Sequence, residues 1–439
     1  MNTPIEGLEV HTLAVHADNR GWFKENWAGQ GLRPVQNNVS FNARRGATRG
    51  MHAEPWDKWV SVAAGRVYGA WVDMREGSET YGAKYGIEIG EDTAVFVPRG
   101  VANGFQALED ATAYIYLVNE RYSPGARYAY CSYREIDWPL EVAELSDADK
   151  KHPALVDATP VPPRRILVTG ANGQLGRALR PLLPDAEFCT REEFDITSPG
   201  ERDWSRYWAI INCAAYNDVN GAEADRAGAW AVNASAVAKL ARIAEEHDLT
   251  LVHVSSDYIF DGSVDVHTEE ETYSPLSAYG ASKAAGDAAA QTASRHYVIR
   301  TSWVFGEGRN FMETMARLHG RGLKPAVVMD QRGRPTAATD LAKGIAHLLT
   351  TRAAYGVYNI TSDGDTAGRD EIAMAVFAGL SGNPADVRPV TTAQYAELVS
   401  PEAPRPPEST LSLDKIKAAG FQPSHWRTAL ALYLAVREG

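Results

Sequence analysis

The run RRILVTGANGQLGRAL at 164–179 restricts the fold of this chain more than any other feature, because an apolar strand-length segment, Ile166 to Thr169, passes straight into a glycine-spaced turn and then a helix. Glycines at 170, 173 and 176 let the backbone approach a pyrophosphate closely while the helix N-terminus faces its negative charge. A glycine triplet alone also occurs where a turn merely links a strand to a helix; the strand before it and the helix after it point to a dinucleotide site. Strand-length apolar runs recur at Ala209 to Cys213, Leu251 to Ser255 and Tyr297 to Thr301, with alanine-rich helix-length segments at 222–246 and 281–294. That alternation predicts an α/β Rossmann domain, a doubly wound parallel sheet.

At 439 residues the chain exceeds what one core usually organises, and its first third reads differently. Short β-type runs at Trp59 to Val62, Val67 to Val72, Tyr85 to Ile89, Ala94 to Val97 and Ala113 to Val118 are separated by glycine, proline and acidic turns, which predicts an antiparallel all-β sandwich or barrel. The charged, proline-rich stretch that follows offers little to a core. The expected division is a β domain at 1–147, a linker at 148–163 and the α/β domain at 164–439.

A net charge of −12 repels a phosphate backbone, so no nucleic-acid partner is expected and an anionic substrate must be held by placed arginines and amides. The N-terminus lacks a basic region leading into an apolar run, and no apolar stretch is long enough to span a bilayer, so the expectation is a cytoplasmic chain without a membrane partner. Cys131, Cys189 and Cys213 have no CxxC spacing and read as reduced thiols.

Tyr279 and Lys283 lie four apart in a helical segment, on one face, where an ammonium could lower the phenol from its ordinary value near 10. A phenol so placed can protonate a carbonyl oxygen as hydride reaches the carbon. Alone, such a pair is usually a surface helix contact; with the glycine loop upstream and Ser256 available to hydrogen-bond a developing alkoxide, it reads as catalytic.

GANGQLG at 170–176, NCAAYNDV at 212–219, VSSDYIFDG at 254–262, SPLSAYGASK at 274–283, RTSWVFG at 300–306, DQRGRPT at 330–336 and RPPESTL at 405–411 together resemble the extended short-chain dehydrogenase/reductases, and within them the dTDP-4-dehydrorhamnose reductases. The resemblance implies a catalytic triad of Ser256, Tyr279 and Lys283 and a small substrate-binding lobe. It implies cofactor contacts by Gly170, Asn172, Gly173, Gln174, Leu175, Gly176, Ala214, Ala215, Tyr216, Asn233 and Lys283. Trp303 and Arg405 match positions lining the sugar-nucleotide site, although a tryptophan after a strand is as often packing. Thr190-Arg191 stands where an acid would bind a ribose 2′-hydroxyl, which favours NADPH, NADH being the alternative, and Asp195 is a further cofactor contact that the resemblance implies; Arg191 could equally be a solvated loop charge. Asn220 and Gly221 replace an aspartate-bearing pattern. Ala178 replaces the glutamate through which some relatives bridge a dimer by magnesium, so no metal is expected.

Epimerising carbons beside a ketone needs a base, a cation for the enolate oxygen and an acid on the opposite face. His52, Lys58 and Tyr122 are candidates, though a single histidine in a β barrel is more often packed or exposed. DNRGWF at 18–23, VQNNVS at 35–40, TRGMH at 48–52, WVDMREGSETYG at 71–82, VPRGVANGF at 97–105, RYSP at 121–124 and IDWP at 136–139 resemble the cupin-fold (jelly-roll) dTDP-4-dehydrorhamnose 3,5-epimerases. By that resemblance His52 is the base, Lys58 the enolate stabiliser and Tyr122 the acid, while Arg20, Phe23, Glu25, Gln36, Asn38 and Arg49 contact the sugar nucleotide. Cys131 or Ser132 stands where an aspartate orienting the histidine is expected, Asn103 replaces a family histidine, and the interval from His52 to Lys58 is short. His52 has no HxH partner for a transition metal.

The whole predicts a bifunctional enzyme acting on a dTDP-sugar: epimerisation at C3 and C5, then NAD(P)H reduction at C4, with a homodimer through the cupin domain. The alternative is a reductase whose cupin only binds substrate or mediates assembly.

Overall fold

Antiparallel strands are the regular elements of the first 130 residues in the computed structural model, which describes residues 3–121, 126–399 and 402–438. The chain divides into two units, one of residues up to Arg164 with the short segment Asp203–Arg206, the other of the remainder.

The first unit contains β1 (Glu9–Thr12), β2 (Val15–Asp18), β3 (Gly21–Lys24), β4 (Gln36–Asn42), β5 (Thr48–Ala53), β6 (Lys58–Ala64), β7 (Val67–Asp73), β8 (Lys84–Ile89), β9 (Thr93–Val97), β10 (Val101–Ala107), β11 (Thr112–Val118) and β12 (Ala129–Tyr130). They form two five-stranded sheets, ordered β1-β9-β6-β11-β4 and β12-β5-β10-β7-β8, with β2 and β3 pairing as a separate hairpin. All these pairings are antiparallel, as the sandwich expectation requires. The alternation of β6 and β9 puts Val60, Val62, Val95 and Val97 inward against Trp71, Ile89, Val101 and Phe105 of the other sheet. Trp59 and Trp71 are fully buried; truncating either to alanine is expected to cost roughly 3–5 kcal/mol.

The stretch expected to be a linker belongs to this unit. Val161 donates its amide to the Met74 carbonyl and accepts from Glu76, Ser132 donates to the Pro153 carbonyl, and Leu155 donates to Glu135 Oε1. Ala158 and Val161 complete an apolar cluster with Met51, Val72 and Met74. An extended segment can be fixed by backbone hydrogen bonds and two apolar anchors, so its polar, proline-rich composition resembles that of a free connector.

The second unit has a six-stranded parallel sheet built from β13 (Arg165–Thr169), β14 (Glu187–Cys189), β15 (Tyr207–Asn212), β16 (Thr250–Val254), β17 (His296–Arg300) and β18 (Gly356–Asn359). Helices α1 (Gln174–Leu179), α2 (Ala236–Glu246) and α3 (Ala278–Ala290) connect them. The spatial order β14-β13-β15-β16-β17-β18 reverses at β13, and that switch point leaves a crevice beyond the carboxyl ends of the strands. A second cluster, around Met312, Ile372, Val376, Phe377, Trp426 and Leu430, forms the core of the small lobe. The helix bearing Tyr279 is anchored to β17 by a buried ion pair, Arg300 Nε to Asp287 Oδ2 at 2.9 Å, with Tyr273 donating to Asp287 Oδ1; removing one partner is expected to cost roughly 3–5 kcal/mol. No helix among the described residues is long and apolar enough to cross a membrane. All three cysteines are free thiols.

Candidate active sites

The crevice at the switch point is a cavity of about 500 Å³, lined by the turn after β13 (Gly170 to Gly173), the segment after β14 (Thr190 to Thr197) and the loop after β15 (Cys213 to Asp218). Gly170 has a φ of +68°, a left-handed conformation that suits glycine. A Cβ on Gly176 would sit 2.5 Å from the Gly170 carbonyl oxygen, so the turn can curl onto α1 only without a side chain there. This side-chain-free cradle fits a dinucleotide pyrophosphate.

Of the expected cofactor contacts, Gly170, Asn172, Gly173, Arg191, Asp195, Ala214, Ala215 and Tyr216 line this cavity, whereas Gln174, Leu175, Gly176, Asn233 and Lys283 do not. Leu175 packs in the core, and Gln174 donates to the Arg309 carbonyl at 3.4 Å. Asn233 sits in a π-helical turn, Ala231–Ser235, and clamps the β15 loop by accepting from the Tyr216 amide and donating to the Tyr216 carbonyl. These bonds brace the cavity wall at Tyr216. The Arg191 side chain is 80% exposed and lies 4.0 Å from Asp195.

A second cavity of about 250 Å³ in this unit is lined by Ser256, Asp257, Tyr258, Tyr279, Trp303 and Arg369, among others. Ser256 caps the turn after β16 and donates to Asp257 Oδ1 at 2.9 Å. Lys283 is buried and donates to the Val254 carbonyl at 2.7 Å, and burial pulls its ammonium down to about 8. The expected lowering of the Tyr279 phenol by Lys283 is not what the structure gives. Burial raises it most and the Asp257 carboxylate adds to that, the Ser256 hydroxyl works the other way, and Tyr258 adds least. The ammonium is turned to a backbone carbonyl, so the phenol stays protonated, the form that can donate.

Trp303 is both packing and wall. It contacts the small-lobe core, yet it lines the cavity in a left-handed conformation (φ +46°) that costs a bulky residue energy. Its Nε1 has no protein partner, and the Arg369 guanidinium covers its ring at 4.4 Å. Arg405 lines a neighbouring cavity of about 190 Å³ with Arg369, Gln331 and Tyr395; it donates to Tyr258 Oη and to Asn220 Oδ1. Asn220, an apparent departure in the sequence, is thus the acceptor that orients Arg405. Sequence reasoning missed Arg369 and Asp257, whose carboxyl burial pushes up to about 6 against the Ser409 and Ser256 hydroxyls and the Arg369 charge.

In the first unit a cavity of about 380 Å³ is lined by residues of both sheets, including Arg49, His52, Glu54, Lys58, Asn103, Tyr114 and Tyr116. The short interval from His52 to Lys58 is what carries the chain from β5 in one sheet to β6 in the other. Lys58 is buried against the Glu54 carboxylate, and desolvation pulls its ammonium down to about 7. Asn103 pairs with His52 in the β10–β5 register and accepts from Tyr114 Oη at 3.2 Å.

His52 has its carboxylate partner. Asp149 Oδ1 lies 2.9 Å from His52 Nε2, across 97 residues of sequence, so the missing aspartate is supplied by the stretch expected to be a linker, not by the positions at 131 and 132. Burial pushes the Asp149 carboxyl up, but the His52 contact, the Gly50 amide and His152 outweigh it and hold the group below its ordinary value. An ionised carboxylate only accepts, so His52 Nε2 donates and Nδ1 carries the lone pair. Arg20, Phe23, Glu25, Gln36 and Asn38 do not line this cavity; Arg20 is paired with Asp18, and Gln36 donates to Asn38. Tyr122 lies outside the described residues.

Comparisons with known proteins divide the chain close to the boundary between the two units. The family model "RmlD substrate binding domain" matches residues 164–438 and "dTDP-4-dehydrorhamnose 3,5-epimerase" matches residues 2–157. The chain belongs to both families. The reductase part is 38% identical over 287 residues to a dTDP-4-dehydrorhamnose reductase of Mycobacterium tuberculosis (strain CDC 1551), covering 62% of this chain and 92% of the relative. The crystal structure of a dTDP-4-dehydrorhamnose reductase from Bacillus anthracis str. Ames in complex with NADP superposes with a TM-score of 0.57 at 30% identity, over 62% of this chain and 99% of that one. The epimerase part is 46% identical over 180 residues to the protein named RmlC homolog of Streptococcus pyogenes serotype M6, covering 36% of this chain and 90% of the relative. An epimerase domain and a reductase domain are therefore joined in one chain, each at close to full length.

Proposed function

We infer that this chain carries out two consecutive steps on a dTDP-4-keto-6-deoxyglucose-type substrate: epimerisation at C3 and C5 in the first unit, then nicotinamide-dependent reduction of the C4 ketone in the second, giving dTDP-L-rhamnose. The observation that carries the two-step reading over a reductase acting alone is the His52–Asp149 dyad facing Lys58 in one cavity. A relic that only bound sugar nucleotide would have no need of an oriented imidazole opposite a buried ammonium.

In the first unit, His52 Nδ1 takes a proton from the carbon beside the ketone, and Asp149 stabilises the imidazolium that forms. Lys58 faces the enolate oxygen, where a desolvated ammonium stabilises developing negative charge strongly. Tyr122 is assigned the return of a proton from the opposite face. Arg49 is assigned to the diphosphate. Arg20, Phe23 and Glu25, which do not line the cavity of their own chain, are read as reaching the cavity of a second copy. The exposed Val39 and Phe41 on the edge strand β4, each 63% exposed, support a homodimer through this unit.

In the second unit the bound nicotinamide supplies the hydride. Tyr279 gives its proton to the C4 oxygen, Ser256 hydrogen-bonds that oxygen, and Lys283, one of whose three donors is taken by the Val254 carbonyl, would hold the nicotinamide ribose with another. Trp303 Nε1, Arg369 and Arg405 are assigned to the sugar nucleotide. Arg191, exposed and only loosely paired with Asp195, is assigned to a 2′-phosphate and makes NADPH the favoured reductant.

The test is the rate of NADPH oxidation by the purified chain on the 4-keto sugar, with and without a separate epimerase. An unchanged rate supports two working sites; oxidation that begins only when epimerase is added would leave the reductase alone.

A further inference from the structure

A second imidazole stands beside the dyad without taking part in its hydrogen bond. His152 Nε2 lies 3.8 Å from Asp149 Oδ1, and its ring stands 5.4 Å from that of His52, nearly perpendicular to it. His52, Asp149 and His152 each offer a ligand atom, all within 4.8 Å of one another. Tyr130 stacks on His152 at 4.6 Å and meets the His52 ring edge-on at 5.7 Å, and the Gly50 amide holds the second Asp149 oxygen at 3.3 Å.

Two imidazoles and a carboxylate are the donor set of many three-ligand zinc sites, with the fourth position left to solvent. Zinc–nitrogen and zinc–oxygen bonds of about 2.1 Å at tetrahedral angles put donor atoms roughly 3.4 Å apart. The observed 2.9 and 3.8 Å bracket that figure. With all donors within 4.8 Å, no donor travels more than roughly 1.5 Å to close on an ion. His52 is 35% exposed and lines the cavity, so an entry path exists. The sequence showed no metal spacing because the donors come from β5 and from a segment almost 100 residues later.

We propose that His52, Asp149 and His152 form an inhibitory site for a divalent transition metal of the zinc class, which silences the first unit while leaving the second active. The ion takes the place of the proton between His52 Nε2 and Asp149, and solvent relays that proton to Nδ1, the tautomer change that binding a metal through Nε2 requires. A neutral imidazole bound through Nε2 then carries its one proton on Nδ1, so no lone pair is left to take a proton from the sugar. Metal binding stands on the cluster alone, whereas inhibition rests on reading His52 as the base.

The experiment uses the full chain after chelator treatment. Titration with Co²⁺ should give one visible absorption band saturating at one ion per chain, and Zn²⁺ should abolish the band. Zn²⁺ should also stop solvent deuterium entering the 4-keto sugar without slowing NADPH oxidation on sugar that is already epimerised. His152→Ala, with His152→Asn as a second variant, should keep exchange in metal-free buffer and weaken Co²⁺ binding by at least about tenfold, the loss expected even for an outer-shell partner. Absence of the band in the parent chain, or equal Zn²⁺ inhibition in variants that retain exchange, would overturn the proposal. Exchange that survives His52→Ala would instead remove the base assignment, and the Co²⁺ titration would still decide the site.

Discussion

The two units assemble their candidate proton-transfer groups by opposite routes. In the second unit the parallel sheet delivers its chemistry at strand ends: Gly170 follows β13, Ala214 follows β15 and Ser256 follows β16, so each motif is contiguous in sequence and topology brings them to one edge. In the first unit the cavity lies between sheets, and the partners of His52 are set by register and by a returning segment, with Asp149 97 residues away. Local motifs therefore announce a doubly wound site, while a sandwich site is completed by contacts that short-range spacing does not encode.

The sharpest way to break this comparison is to silence one unit at a time. Tyr279→Phe removes the proton donor and should lower NADPH oxidation by about 10²–10⁴-fold, with deuterium exchange unchanged. His52→Ala should do the reverse, by a similar factor, with oxidation recovering on epimerised sugar. Loss of both activities in either variant would mean that the units do not act separately.

Asp149→Asn addresses the long-range half of the comparison. Exchange should fall by about 10–100-fold, as for other groups that orient a working imidazole, while reduction of epimerised sugar is untouched. Because the native Asp149 carboxyl lies below its ordinary value, it contributes stability that is present above the unfolded value and lost as pH falls through the folded one. The parent chain should therefore lose more stability than Asp149→Asn in an acid titration of the first unit.

Lys58 gives a pH signature confined to one unit. With its ammonium pulled down to about 7 by burial, deuterium exchange should decline as pH rises through that region, because the enolate oxygen loses its cation. Lys58→Arg, whose charge persists, should flatten that limb even if it lowers the maximum. A limb that stays in Lys58→Arg would assign it elsewhere.

The smallest effect is expected at Arg191. An exposed arginine loosely paired with Asp195 should contribute roughly tenfold to the preference for NADPH over NADH, about 1.4 kcal/mol. Equal preference in Arg191→Ala and the parent chain would assign the arginine to solvent.

Much of the fold is legible in the residues. The runs at Ile166, Ala209, Leu251 and Tyr297 became β13, β15, β16 and β17, and those at Trp59, Val67, Tyr85, Ala94 and Ala113 became β6 to β9 and β11. The strands without such a signal are those whose side chains serve the cavity or stay exposed: QNNVSFN in β4, TRGMHA in β5 and VANGFQA in β10 carry asparagine, glycine and histidine where a core strand would carry valine. The segment bearing Asp149 was hidden for the same reason, since a carboxylate held for an imidazole looks, in sequence, like a solvated charge. Arg369 was equally silent, being placed over Trp303 by the small lobe and by no local motif.

The central claim, two working sites in one chain, is tested most directly by the product formed from dTDP-4-keto-6-deoxyglucose and NADPH in deuterium oxide. The account predicts a rhamnose-configured sugar nucleotide with deuterium at both C3 and C5, made by the purified chain alone. A reduced product without deuterium at those carbons, or no product until a separate epimerase is supplied, would contradict it.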